Sequence, residues 1–155
     1  MSDLELVKQI MRLQKQVDGL VKPEVGRWID WTPTVTQSGA VTGTISYARY
    51  KADLDGMVTV RVYLTITGSG TGNNNIVIGG MPSTIGAANP SSTTVIGHGM
   101  VVDFGTQAYT VEMVANGATD WRFYVTGTGS FVGVVPNFAL ANTDIISFQA
   151  TYERA

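Results

Sequence analysis

The spacing of apolar residues changes once along this 155-residue chain, and the change falls at Pro23. Before it, Leu6, Ile10, Leu13, Val17 and Leu20 recur at intervals of 4, 3, 4 and 3, with Lys8, Gln9, Arg12, Lys15 and Gln16 between them. That is a heptad seam with Leu at d and Ile or Val at a. After it the period is two: Val58, Val60, Val62, Leu64 and Ile66 alternate with Thr59, Arg61, Tyr63 and Thr65, the pattern of a half-buried strand. A rotation of about 100° per residue and one of about 180° cannot share an element. The chain therefore reads as two parts, an N-terminal coiled-coil stalk and attachment segment over residues 1–25 and a β head over residues 26–155.

The stalk helix is predicted from Leu4 to Lys22. Val7 and Val21 fall at e and widen the stripe, which suits a three-stranded bundle or packing on another surface, whereas Ile or Val at a with Leu at d taken alone favours dimers. The heptads leave the oligomer number open, and an amphipathic helix lying on its own domain is the competing reading. About 17 residues is near the limit for an isolated helix in water, so such a bundle must draw stability from the head behind it. Pro23 ends the helix by pushing the residue before it out of the α region, and Gly26 loosens the joint from Lys22 to Arg27.

Charge follows the same division. Residues 1–61 carry eight of the ten basic and seven of the twelve acidic side chains, whereas residues 62–151 carry only Arg122, Asp103, Glu112, Asp120 and Asp144. A head with so few charges must cover its surface with Thr, Ser, Asn and Gly or hide part of it against other subunits. The 18 Gly and 19 Thr serve the first; assembly with other copies serves the second. A net charge of −2 supplies no field for holding phosphate backbones, so no nucleic acid partner is expected. With no cysteine there is neither a disulfide framework nor a thiolate metal site. The N-terminus lacks the basic-then-apolar order of a signal peptide, and no apolar run approaches the roughly 20 residues of a membrane span, so a soluble chain without membrane insertion is expected.

Further strands are signalled at Ile146, Phe148, Ala150 and Tyr152, at Trp121, Phe123 and Val125 after an Asn116-Gly117 turn, and at Ile76 to Ile78, apolar on both faces. Asp53 to Gly56 is a turn, since Asp-Gly readily supplies positive φ. Gly68 to Asn75, Pro82 to Ser92 and Gly127 to Ser130 are loops by composition. Some eight short strands without intervening helices predict an all-β, jelly-roll-like antiparallel β-sandwich.

Few residues here suit catalysis. Asp103, Glu112, Asp120 and Asp144 are the only carboxylates of the head body before Glu153, and nothing in their spacing pairs two of them for glycan cleavage. Nucleophile-elbow, zinc-protease and phosphate-loop motifs are missing, so no catalytic residue is assigned and the chain is not expected to be an enzyme. His98, the sole histidine, lies in register with Ile96, Met100, Val102 and Phe104; near a threefold axis it would appear three times, yet a lone histidine on an apolar face is ordinarily just hydrogen-bonded. No metal or cofactor is assigned. Gly68 to Asn75 reads either as a sugar-contacting loop, through its Asn amides, or as a mobile hairpin tip. Trp121 would stack on a sugar if exposed, but its alternation with Phe123 and Val125 favours the core. Trp28 and Trp31, beside the joint, are expected to pack the stalk against the head.

The segments Trp31-Thr32-Pro33-Thr34, Gly43 to Tyr50, Val58 to Val62 and Asn142 to Glu153, with Asp144-Ile145-Ile146-Ser147-Phe148 leading to Tyr152-Glu153, resemble the C-terminal head domains of bacteriophage tail proteins. The turn from Tyr50 to Gly56 is longer than is usual there. The resemblance spans most of residues 28–155 and implies a homotrimeric jelly roll, similar to complement and tumour-necrosis-factor heads, carried on a coiled coil and binding a host cell-surface glycan or protein. It implies a virion structural protein on the exterior of tail or head, assembled in the host cytoplasm and docked to other virion proteins through its N-terminal segment. A head fibre or capsid decoration protein of mainly structural role is the alternative. The seam residues Leu6, Ile10, Leu13, Val17 and Leu20 are the expected trimerisation contacts; the receptor-binding residues are not specified.

Overall fold

A computed structural model describes residues 3–20, 25–91 and 93–155, with the side chains of the first stretch described for residues 5–13. Helix α1 spans Asp3–Leu20, about 27 Å of rise at 1.5 Å per residue. Its extent matches the heptad pattern. Val21, Lys22 and Pro23 lie outside the described residues, as do the side chains of Leu4, Val17 and Leu20, so the predicted helix stop and most of the joint are not described. No described helix is long and apolar enough to cross a membrane.

Among the described residues the head contains ten strands: β1 (Ile29–Asp30), β2 (Thr34–Thr36), β3 (Ala40–Val41), β4 (Gly43–Ala52), β5 (Met57–Ile66), β6 (Val77–Gly79), β7 (Val95–Asp103), β8 (Gln107–Ala115), β9 (Trp121–Val125) and β10 (Ile145–Glu153). Every strand pairing is antiparallel, in the order β1-β4-β5-β10-β7-β8-β9-β6-β2-β3. Strands β3 and β4 stand tenth and second in that order, yet only Thr42 separates them. One residue spans so little distance that the sheet must curl until its ends approach. The strands expected of a sandwich are thus laddered into one continuous curled sheet.

The core lies inside the curl. On β5, Val58, Val60, Val62, Leu64 and Ile66 are all buried while Arg61 is exposed, as the alternation requires. From the paired strand β10, Ile146, Phe148, Ala150 and Tyr152 point the same way. Trp121 is fully buried at the centre, its ring edge-on to Trp31 at 6.1 Å and 88° and to Phe148 at 6.1 Å and 73°. Offset and edge-to-face contacts of this kind add to the apolar burial. Trp31 therefore belongs to the head core rather than to a stalk contact, a correction to the expectation from its place near the joint.

Two local devices set the face that matters below. Gly97 and Gly99 let β7 lie close on β10, because a Cβ at Gly99 would collide with the Ser147 carbonyl and sit 2.6 Å from Phe148 Cβ. A side chain there would force the strands apart. Where the chain enters the head, the Gly26 amide donates to the Ala52 carbonyl at 2.7 Å, with Gly26 in a left-handed conformation at φ +74° that glycine adopts freely.

Candidate functional site

Three surfaces are candidates for a functional site. The first is the helix seam. Leu6, Ile10 and Leu13 are 47, 55 and 60% exposed, and Val7 and Met11 on the same helix are exposed as well. The described seam side chains thus carry an apolar stripe that the head leaves largely uncovered.

The second is the outer face of the sheet over β4, β5, β10, β7 and β8. Residues directly opposite across a ladder share a face, so the register builds two rows. Tyr47, Tyr63, Ser147, Met100 and Thr110 form one; Arg49, Arg61, Gln149, His98 and Glu112 form the next, extended by Asp30 at one end and Tyr124 at the other. Trp28 lies over the cationic end, its ring centroid 5.1 Å from both the Arg49 and Arg61 guanidinium carbons and 6.0 Å from Lys51 Nζ. Cation–π attraction of this kind is worth roughly 0.5–1 kcal/mol where water has access. Arg61 Nε donates to Gln149 Oε1 at 2.9 Å, whereas Arg49 Nε is buried without an acceptor. Two shallow hollows of about 360 and 400 Å³ flank His98 and Gln149, one lined by Tyr47, Arg61 and Met100, the other by Ile96, Gly97 and Thr151.

The third surface is a cluster of loops tied together by Gln37. This side chain is 1% exposed. Its amide nitrogen donates to the carbonyls of Asn74 (3.2 Å) and Phe138 (2.8 Å), and its oxygen accepts from the Leu140 amide at 2.8 Å. Asn137 Oδ1 accepts from the Asn73 amide at 2.8 Å, and Asn74 Nδ2 donates to Gly72 O at 2.9 Å. The segment Gly68 to Asn75 is therefore clamped, not a free hairpin tip, and the Asn74 side-chain amide, one of those offered to a sugar, is occupied. Asn73 remains exposed.

The predicted chemical residues do not converge. His98 is exposed on the outer face, not hydrogen-bonded in the core. Asp144 is 1% exposed, with its two oxygens accepting from the Phe104 and Ala141 amides at 2.9 and 2.8 Å; it fixes a loop, as its place beside Asn142-Thr143 suggested. Asp103 ends β7, Glu112 sits within β8 and Asp120 precedes β9. Among the described residues no group of three metal-ligating side chains forms. Trp121, fully buried, is not a sugar platform. The Trp28–Arg49–Arg61 cluster and the Gln37 clamp were not read from sequence, because each depends on cross-strand register or on partners about 37 to 103 residues away.

No protein-family model matches the chain, no curated protein matches it and no solved structure matches it.

Proposed function

We propose that the chain is a virion structural protein of a bacteriophage, a homotrimeric tail or fibre head whose N-terminal helix is stalk and attachment segment. In this reading its jelly-roll-like β head binds a glycan or protein on the host cell surface. The observation that carries the reading is the exposed apolar seam of α1 beside a head whose later residues carry few charges: Leu6, Ile10 and Leu13 all stand exposed, and apolar stripes of that width are covered by partner helices. No catalytic residue, metal or cofactor is part of it.

Adsorption tests the functional half. Labelled full-length protein, incubated with a panel of bacterial strains, is expected to coat some species and not others, and unlabelled protein should compete it away. Equal adsorption to every strain, or to none, overturns receptor recognition. If the protein instead cosediments with phage heads, and loses that property when residues 1–25 are removed, the capsid decoration role replaces it.

A further inference from the structure

We propose that the outer face of β4, β5, β10, β7 and β8 is the surface on which copies of this chain pack around a common axis, Arg61 of one protomer meeting Glu112 of the next. This rests on the homo-oligomer reading above and assigns the head contact that it leaves open.

The charges make the case. Arg49 and Arg61 are directly opposite each other across β4 and β5, an arrangement of like charges that costs free energy. Among the described residues no carboxylate lies within 4 Å of either: the one ion pair there is Lys51–Asp53, at 3.7 Å, and Asp30, opposite Arg49 on β1, does not close on it. At the other flank Glu112 is likewise without an ion pair among the described residues. Its cross-strand neighbours are His98 and Tyr124, and Arg122, farther along β9, lies over the Phe131 ring at 4.3 Å instead. One face thus carries an uncompensated cation at one side and an uncompensated carboxylate at the other.

A ring of copies joins those two sides. In a closed cyclic assembly each contact is heterologous, one patch against a different patch of the neighbour. With this outer face turned towards a common axis, the β4–β5 side of one protomer meets the β7–β8 side of the next. The middle of the face suits burial, with Tyr47 and Met100 each 42% exposed and Tyr63 between them half-buried. The first residues of the head also lie on this face, where Trp28 covers Arg49 and Arg61. An acidic ligand is the weaker occupant, since Asp30 and Glu112 stand in the same row.

The protein has no cysteine, which allows a direct test on the full chain with Arg61→Cys and Glu112→Cys combined. Within one chain the two positions are three strand spacings apart, about 14 Å, too far for a disulfide. Any bridge must join two chains. Mild oxidation is expected to give a covalent ladder in non-reducing gels that stops at the ring size given by light scattering, with neither single variant going beyond a dimer. In parallel, Glu112→Arg should loosen the assembly at least tenfold, and adding Arg61→Glu should restore it, with circular dichroism showing that each variant is folded. An assembled chain with no ladder and no response to charge reversal overturns this interface while leaving the oligomer standing. A monomeric wild-type chain overturns both. Specific binding of polygalacturonate by wild type but not by Arg61→Glu, with assembly unchanged, gives the face to an acidic glycan and also refutes the proposal.

Discussion

Tyr152 shows how one side chain joins a strand to a loop. It is 5% exposed, and its hydroxyl donates to the Ile85 carbonyl at 3.0 Å. Burial pushes its ionisation well above the usual tyrosine value of 10, and the neighbouring Tyr50 adds to the push. A raised folded-state pKa means the stabilisation is whole below about pH 10 and is lost as pH rises from there towards the folded value, because only the unfolded chain releases the proton. Tyr152→Phe should cost about 1 kcal/mol at pH 7 through the lost hydrogen bond. It should also make the urea midpoint fall less steeply than wild type between pH 9 and 11; parallel slopes would refute the assignment. The inward direction of Tyr152 was legible, since it continues the alternation of Ile146, Phe148 and Ala150. Its partner was not, because Ile85 is 67 residues away on a 3-10 turn that no periodicity announces.

Between elements, the longest reach belongs to Gln37, at the turn between β2 and β3. Of the segments it joins, composition marks only Gly68 to Asn75 as a loop and not the stretch holding Phe138 and Leu140. A glutamine among turn residues reads as solvent-facing, however, and here it is the pin that fixes the loops to one another. Removing it by Gln37→Ala leaves the Leu140 amide and the Asn74 and Phe138 carbonyls without their partner. Each buried group so orphaned costs about 1–3 kcal/mol, so a loss near 3 kcal/mol in urea unfolding is expected, with faster hydrogen exchange at Leu140. A cost below about 0.5 kcal/mol would show that water takes its place. Strand β4 was hard to read for a different reason. Its register shifts between Ile45 and Tyr47, and a bulge of this kind changes the outward face partway along the strand. Residues 43–47 are accordingly exposed without alternation, whereas β5 and β10, which carry no such shift, were plain in the sequence.

For the molecule as a unit, the order of strands was beyond the sequence. Alternation tells which residues of a strand share a face, but β10 lies between β5 and β7 and β6 between β9 and β2, pairings set by how the sheet closes over its core. The division into helix and β head was legible, because a change of period needs no tertiary information. That division has a measurable consequence. The seam side chains Ile10 and Leu13 are exposed, so replacing both by serine should move the urea midpoint of the head, followed by Trp fluorescence, by no more than the roughly 0.5 kcal/mol of an ordinary surface change. The same residues, buried between helices, would each contribute about 1.5–3 kcal/mol per copy. At micromolar concentration the wild-type chain is expected to weigh a multiple of 16.5 kDa and the double variant to approach a single chain. The outer sheet face then holds copies together only at higher concentration, since each contact raises the effective concentration for the other. Should the variant lose head stability with no change of mass, α1 packs on its own head and the stalk reading falls.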